Sequence, residues 1–169
     1  MKRFFYAPIV AGFLLGGCYG LNGPTNPPAL PLTYHNAKYE FAFYLPASWQ
    51  GYSVLTGQWN GQTYSPATDK SEETEHGPLL VLRNPQWKVG DPQQDIPVLV
   101  FTRSQWKRGR AGEFTIFAGG VQSEISHNGN YVFAIHSRFN WDQSVKGARE
   151  AEDIVIQNQN ANRPHLDSE

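Results

Sequence analysis

The sequence predicts a single α+β domain built on a mainly antiparallel sheet. Most of residues 39–137 consists of short apolar segments separated by Gly, Pro and Asn, which is a pattern typical of strands. One longer segment with helical periodicity, residues 144–157, follows these strands. Strands that precede a helix, rather than alternating with helices, favour this fold class. The composition, 40% hydrophobic and 17% charged, is that of an ordinary globular domain.

Four strands are predicted in the first two thirds of the chain. Residues 39–45 alternate between large apolar and other side chains until Pro46 ends the strand. Residues 52–59 form a second strand between glycine-containing turns. Residues 78–83 and 96–101 are almost continuous apolar runs, so we expect both strands to be covered on both faces.

The segments between these strands are predicted to be loops. Residues 60–77 are polar and include the run 69–75, which is mostly charged and has no apolar periodicity. Residues 84–95 contain Pro85 and Pro92, and proline does not continue the ladder of a central strand.

Two helices are predicted. A short one is expected at residues 103–108, with Thr102 as its N-cap. In residues 144–157 apolar side chains recur at steps of three and four, which gives one apolar face, and Ser144 is the candidate cap. We expect both helices to pack on the sheet.

A hairpin is predicted near the end of the strand region. Residues 114–117 and 121–126 have strand character, and an Asn-Gly pair at 128–129 follows them. Asn-Gly favours a tight turn in which both central residues have positive φ. The pair therefore predicts that residues 121–126 and 131–137 are antiparallel neighbours.

The first residues have the features of a lipoprotein signal peptide. Met1-Lys2-Arg3 precedes an apolar run at 4–17 that is too short to span a membrane. Leu15-Gly16-Gly17-Cys18 resembles the bacterial lipobox, which implies diacylglyceryl transfer to Cys18, cleavage before it and acylation, typically with palmitate, of its new amino group. Several acyl chains on one residue give stable anchoring. An ordinary signal peptide with a chance cysteine is the alternative.

Four segments are therefore predicted along the chain. Residues 1–17 are the signal peptide, and residues 18–32 are a tether because they are rich in Pro and Gly. Residues 33–157 form the single α+β domain, and residues 158–169, rich in Asn and Gln, form a disordered tail. The predicted location is the bacterial cell envelope, and a residue other than Asp after Cys18 resembles the outer-membrane sorting pattern of Gram-negative cells.

The first strand and turn carry a resemblance to a known superfamily. The stretch has the pattern aromatic-x-Phe-x-Phe-x-Leu-Pro-x-x-Trp-x-Gly and reads Tyr39-Glu40-Phe41-Ala42-Phe43-Tyr44-Leu45-Pro46-Ala47-Ser48-Trp49-Gln50-Gly51. It is similar to the opening of PsbP/Mog1-like proteins and of uncharacterised bacterial lipoproteins. The resemblance implies a curved antiparallel sheet with helices packed on it, and accessory rather than catalytic roles. Within this motif, we expect Trp49 to fill the core beneath the first turn.

One candidate site is a cationic pocket at a strand end. His136 and Arg138 share one face of the last predicted strand, and Arg83 ends another apolar strand. Together they could bind an anion. The alternative is a solvent-exposed strand end, with Arg138 paired to a carboxylate such as Asp95.

A second candidate site consists of loop aromatics. Trp87 and Trp141 lie in polar loops, where aromatic rings can stack on a sugar or anchor a partner protein. The alternative is that both close the edge of a core.

Several kinds of chemistry have no support in the sequence. The one cysteine excludes an intrachain disulfide and thiolate metal clusters, and no two of the five histidines have metal-ligand spacing on a helix. We predict no metal and no cofactor, since no phosphate-binding loop or dinucleotide motif occurs. A net charge of −1 argues against nucleic acid as a partner. No nucleophile motif of a hydrolase is present.

These observations predict a membrane-anchored envelope lipoprotein that acts as a non-catalytic accessory or binding module. The predicted partners are the membrane, through the lipid on Cys18, and an envelope protein. Two alternatives stay open: a cell-surface hydrolase with a non-local site near His136, and a small-ligand or carbohydrate binder that uses Trp87 and Trp141.

Overall fold

The computed structural model describes residues 32–67, 69–116, 122–136 and 144–162. Strands dominate, and two helices accompany them, one at the C-terminal end, which confirms the α+β prediction. The elements are β1 (Leu32–Asn36), β2 (Phe41–Leu45), a 3-10 turn (Ala47–Trp49), β3 (Ser53–Ser65), β4 (Lys70–Arg83), β5 (Ile96–Thr102), α1 (Arg103–Arg110), β6 (Thr115–Ile116), β7 (Gln122–His127), β8 (Tyr131–His136) and α2 (Ala148–Ala161).

Six strands form one antiparallel sheet that curls. Their order is β6-β3-β4-β5-β8-β7, while β1 and β2 pair in a separate two-stranded sheet. In a flat sheet six strands wide, the outer strands would be about 24 Å apart. However, β6 and β7 follow one another in the chain, and the segment from Ile116 to Gln122 spans at most about 20 Å. The sheet therefore curls into a half-barrel, as the prediction of a curved sheet requires.

Apolar side chains pack on both faces of the sheet. On one face, the first core joins the sheet to the β1–β2 hairpin and to α2, and Phe41 stacks on Phe133 with 4.2 Å between ring centroids. Trp49 is 0% exposed in this core, which confirms its predicted burial. On the other face, a second core surrounds Trp59, and Trp106 of α1 packs against it.

The central strand β5 contributes to both cores. Ile96, Val98 and Val100 belong to the first core, whereas Leu99 and Phe101 belong to the second. This strand is therefore covered on both faces, as its continuous apolar run predicts.

Helix α1 forms where the sequence predicts it. The Thr102 hydroxyl accepts a hydrogen bond from the Gln105 backbone N–H at 3.1 Å, and the Gln105 side chain accepts one from the Thr102 N–H at 3.0 Å. This reciprocal pair is a capping box, which satisfies two backbone donors at the start of the helix. The helix ends at Arg110, two residues beyond the predicted end.

The β7–β8 hairpin also forms, but its turn differs from the predicted one. Neither Asn128 nor Gly129 has a positive φ. Instead, the Asn128 side-chain oxygen accepts hydrogen bonds from the backbone N–H groups of Asn130 and Tyr131, at 2.9 and 2.8 Å. An asparagine that closes a turn with its own side chain does not need the left-handed backbone.

The loop prediction for residues 60–77 is wrong, because β3 and β4 continue through this segment as one long hairpin. Polar side chains bridge the two strands there: the Asn60 amide donates to Glu73 at 2.9 Å, and the Thr63 and Thr74 hydroxyls lie 2.8 Å apart. Both faces of most of this part are exposed, so no apolar alternation marks it as a strand.

The helix and tail at the C-terminal end also need correction. Helix α2 begins after Gly147, whose φ of 74° is left-handed, rather than at Ser144. It continues through residues 158–161, which were predicted to belong to the disordered tail. Asn158 is fully buried: its side-chain oxygen accepts from the Tyr44 N–H at 2.8 Å, and its amide donates to the Tyr44 carbonyl at 2.9 Å. The side chain thus completes the open edge of β2.

The strand β1 was not predicted. It begins at Leu32, the last residue assigned to the tether, and pairs with β2 in register from Leu32 opposite Leu45 to Asn36 opposite Phe41. Residues 37–40 form the connecting turn, in which Glu40 has a φ of 52°. The first predicted strand, residues 39–45, is consequently shortened at its start.

Candidate functional site

Five residues were predicted to bind a ligand or partner, and Cys18 was predicted to carry lipid. The structure describes three of these six residues. Arg83, Trp87 and His136 belong to the described part of the chain, whereas Cys18, Arg138 and Trp141 lie outside the described residues. The proposed pairing of Arg138 with a carboxylate lies outside them as well.

Arg83 and Trp87 come together, although the sequence analysis placed them in different sites. The Arg83 guanidinium carbon lies 4.1 Å from the Trp87 ring centroid, so the cation covers one face of the ring. Arg83 Nε also donates to Asp95 Oδ2 at 3.0 Å, while Asp95 Oδ1 accepts from the Asn84 N–H at 3.1 Å. These contacts hold the loop formed by residues 84–95 against the end of β4. The Arg83 charge is therefore compensated by Asp95 rather than directed into an open pocket.

Further contacts attach the same loop to the start of α2. The Gln94 N–H donates to the Lys146 carbonyl at 2.8 Å, and Lys146 Nζ lies 2.6 Å from Asp91 Oδ1. Arg83 thus covers one face of the Trp87 ring, and the loop that carries this ring is held at both ends.

His136 is the last residue of β8, opposite Gln122 of β7. By strand alternation and register, it lies on the same sheet face as Arg83, with β5 between the two strands. Arg138, the third residue of the predicted cationic pocket, lies outside the described residues, so the pocket stays a prediction.

A groove that the sequence analysis did not predict lies beside the β1–β2 hairpin. Its volume is about 450 Å³, within the usual range of ligand-binding clefts of about 300–1,000 Å³. It is lined by β1 and its turn, by the middle of β3 and by β4, through Asn36, Lys38, Tyr39, Thr56, Gly57, Gln58, His76, Gly77, Pro78, Leu79 and Leu80. The groove forms because the hairpin covers the first core and stops short of the outer part of β3 and β4.

The groove combines fixed polar groups with positive charge. Asn36 is held by two bonds: its amide donates to the Tyr34 hydroxyl at 2.7 Å, and its oxygen accepts from the Tyr39 N–H at 3.2 Å. Lys38 Nζ lies 5.0 Å from the Tyr39 ring centroid. Lys38 and His76 are exposed, and no Asp or Glu is among the described residues that line the groove. The arrangement is suited to a ligand that carries negative charge.

No sequence motif could have identified this groove, because its residues come from three strands that only the folded chain brings together. The one local signal is charge: the strand residues 53–65 contain no charged side chain, and Lys38 belongs to the turn before β2. Within the described residues, no group of three or more His, Cys, Asp and Glu side chains could hold a metal ion.

No helix in the described part of the chain is both long and apolar enough to cross a membrane. Comparison with protein-family models, with curated proteins and with solved structures found no match to this chain. The resemblance of residues 39–51 to PsbP/Mog1-like proteins accordingly stays a prediction.

Proposed function

We propose that this protein is a bacterial envelope lipoprotein, anchored by acyl chains on Cys18, that binds a partner protein as a non-catalytic accessory module. Two sequence features support the anchor. The only cysteine of the chain occupies the lipobox position, and a positive start and a short apolar run precede it. Because the domain begins near Leu32, about a dozen residues would separate it from the lipid.

The groove beside the β1–β2 hairpin is the observation that carries the binding role. It is open, and its lining residues offer the Lys38 ammonium, the His76 imidazole, two side-chain amides and two hydroxyls, but no carboxylate among the described residues. Acid–base hydrolysis with a histidine usually requires a carboxylate to orient it. Groups of this kind serve recognition, which favours a binding role for this groove.

Fractionation of cells tests the anchor. We expect the wild-type protein to incorporate labelled palmitate and to sediment with membranes, and Cys18→Ser to be released or to accumulate as an unprocessed precursor. Gly17→Ala is the matched control, because it keeps a small residue before the cysteine and should leave anchoring intact. Processed Cys18→Ser that stays with membranes at the wild-type level would contradict the proposal.

Photo-crosslinking in intact cells tests the binding role. A photoreactive residue at Gln58 lies in the groove, whereas one at Val89, which is 90% exposed in a distant loop, serves as the control. We expect a discrete protein adduct from position 58 and none of the same size from position 89. Equal adducts from both positions, or none from position 58, would argue against a partner in the groove.

A further inference from the structure

The outer edge of β3 lacks the features that usually protect an edge strand. Among the described strands, only β6 pairs with this edge, at Gly61 and Gln62. The residues from Ser53 to Gln58 are consequently an edge, where every second residue directs its N–H and C=O outward. The whole strand, Ser53–Ser65, contains no Lys, Arg, Asp, Glu or Pro, and the register shift in its pairing with β4 lies beyond this part, between Gly61 and Gln62. Natural sheets block their edges with just these devices.

The side chains along this edge are uncharged, and most of them are exposed. Leu55 is 40% exposed, and Thr56, Gly57 and Gln58 are also exposed. Gly57 adds no side chain to the edge, and an added Cβ there would meet its nearest neighbour, Leu79, at an ordinary contact distance of 3.8 Å. Within the described part of the chain, no charged side chain of β3 therefore prevents another strand from approaching this edge.

The groove continues from this edge across the face of the sheet. Thr56, Gly57 and Gln58 line it, and Lys38 and Tyr39 form its opposite wall. Side chains of a strand point alternately to the two faces of its sheet. A strand added beside β3 would therefore place every second side chain on the face that carries the groove, toward Lys38.

We propose that β3 accepts an extended segment of the partner protein as an additional strand, and that an acidic side chain of this segment enters the groove opposite Lys38. The proposal rests on the partner-binding role proposed above and specifies the partner's chemistry. Main-chain hydrogen bonds to the β3 edge would supply affinity, and the groove would supply selectivity, as in other cases of strand addition. The positive groove, with no carboxylate among its described lining residues, selects an acidic segment over a basic one.

Selection from a phage-displayed library of random dodecapeptides, against the intact protein in detergent, tests the charge preference. We expect enriched peptides that contain Asp or Glu among β-branched residues. Lys38→Glu should weaken these peptides about two- to fivefold, as for an exposed ion pair, and should instead enrich basic peptides. Lys88→Glu changes an exposed lysine in the distant loop and should leave the selection unchanged. Equal preferences in all three proteins would overturn the role of Lys38.

N-methylation of the best selected peptide tests strand addition itself. Two versions are made. One has methyl groups on the backbone nitrogens of the odd-numbered residues, and the other has them on those of the even-numbered residues; we call these the two phases. One phase removes the N–H groups that face β3 and should weaken binding more than tenfold, because several hydrogen bonds are lost together. The other phase removes outward N–H groups and should change binding little. Equal losses in both phases would show that the peptide does not bind as a strand.

Self-association is the outcome that would assign the edge to a different occupant. A dimer in analytical ultracentrifugation that the selected peptide dissociates would show that β3 pairs with a second copy of this chain, and would overturn the proposal. Failure of the partner-binding role is a separate result: position 58 would then give no adduct in cells. If position 58 gives the adduct in cells but both methylated peptides bind as tightly as the unmethylated one, only the strand-addition proposal fails.

Discussion

The two halves of the β3–β4 hairpin form one ladder, with a register shift between Gly61 and Gln62, but they lie in very different surroundings. In the inner half, residues 53–59 pair with 77–83, and β4 contributes Leu80 and Leu82 to the first core. In the outer half, residues 60–65 pair with 70–76, and most side chains are exposed. The inner half is held by apolar burial, whereas the outer half is held by hydrogen bonds between polar side chains of the two strands.

The difference shows that strand pairing can extend well beyond the apolar pattern that begins it. Once the inner half brings the two strands together, each further pair gains its cross-strand contacts by ordering only a few more residues. One end of helix α1 reinforces the outer half, since Gln105 donates to the His76 carbonyl at 2.9 Å and Arg108 pairs with Glu75. Long, polar hairpins of this kind therefore depend on a buried half and a neighbouring helix.

Replacement of one aromatic residue in each half should give the largest difference. Trp59 is 1% exposed and donates from Nε1 to the Val100 carbonyl at 2.8 Å, whereas Tyr64, in the same strand, is 57% exposed. We expect Trp59→Ala to cost about 3–5 kcal/mol, the range for an emptied aromatic core site, and Tyr64→Ala to cost less than about 1 kcal/mol. Urea melts measure both. Similar losses would mean that the outer half is as essential to the fold as the inner half.

The Trp59 bond also explains how the sheet accommodates a proline. The last pair between β4 and β5 is Leu79 with Leu99, and continuing the register by one residue places Pro78 opposite Val100. Pro78 has no N–H to donate. The Trp59 indole supplies the missing donor for the Val100 carbonyl, so this carbonyl is not left unsatisfied in the core.

Gly77 marks the boundary between the halves, and the next prediction concerns it. A Cβ at Gly77 would lie 2.5 Å from the Trp59 ring, which crosses directly over this residue. We expect Gly77→Ala to displace the ring and to cost about 1–3 kcal/mol through overpacking. Gly57→Ala is the control, because its Cβ would meet Leu79 at an ordinary 3.8 Å. Equal melting curves for the two variants would show that the ring does not lie over Gly77.

The hairpin also shows how far the sequence can predict this fold. The apolar run 96–101 and the cap at Thr102 are local signals, and both predictions are confirmed. The outer half of the hairpin carries no such signal, because neither of its faces is buried along most of its length. Asn158 resembles a tail residue in the sequence, yet it is buried because it completes the edge of β2 more than a hundred residues away.

The candidate site was harder to predict than the fold. Gln58 belongs to a predicted strand, Lys38 precedes the first predicted strand, and only packing of the β1–β2 hairpin brings them to one groove. The predicted sites instead included Arg83, at the end of an apolar strand, and Trp87, in a polar loop. In the structure these two side chains fasten a loop, together with Asp95.

The smallest effect is expected from Glu75, at the junction of the outer half with α1. Burial by itself raises the pKa of this carboxyl, but hydrogen bonds from Gln105 and Arg108, with the charges of Arg108 and His76, outweigh burial and lower the pKa below 4.5. A lowered pKa in the folded state adds stability at pH values above the unfolded pKa, and this stability is lost as the pH falls through the folded pKa.

We therefore expect Glu75→Gln to destabilise the protein by up to about 1 kcal/mol at pH 7, the range for a partly exposed ion pair. The difference from the wild type should shrink as the pH falls below 4.5 and disappear in stronger acid, where both side chains are neutral. Glu73→Gln, which loses only a contact to the exposed Asn60 amide, is the control and should cost less at pH 7. Urea melts between pH 3 and 7 measure the difference. If the loss of unfolding free energy in Glu75→Gln stayed the same in acid, the carboxylate charge would not join the outer half to α1. Packing of uncharged groups alone would then hold the helix against the hairpin.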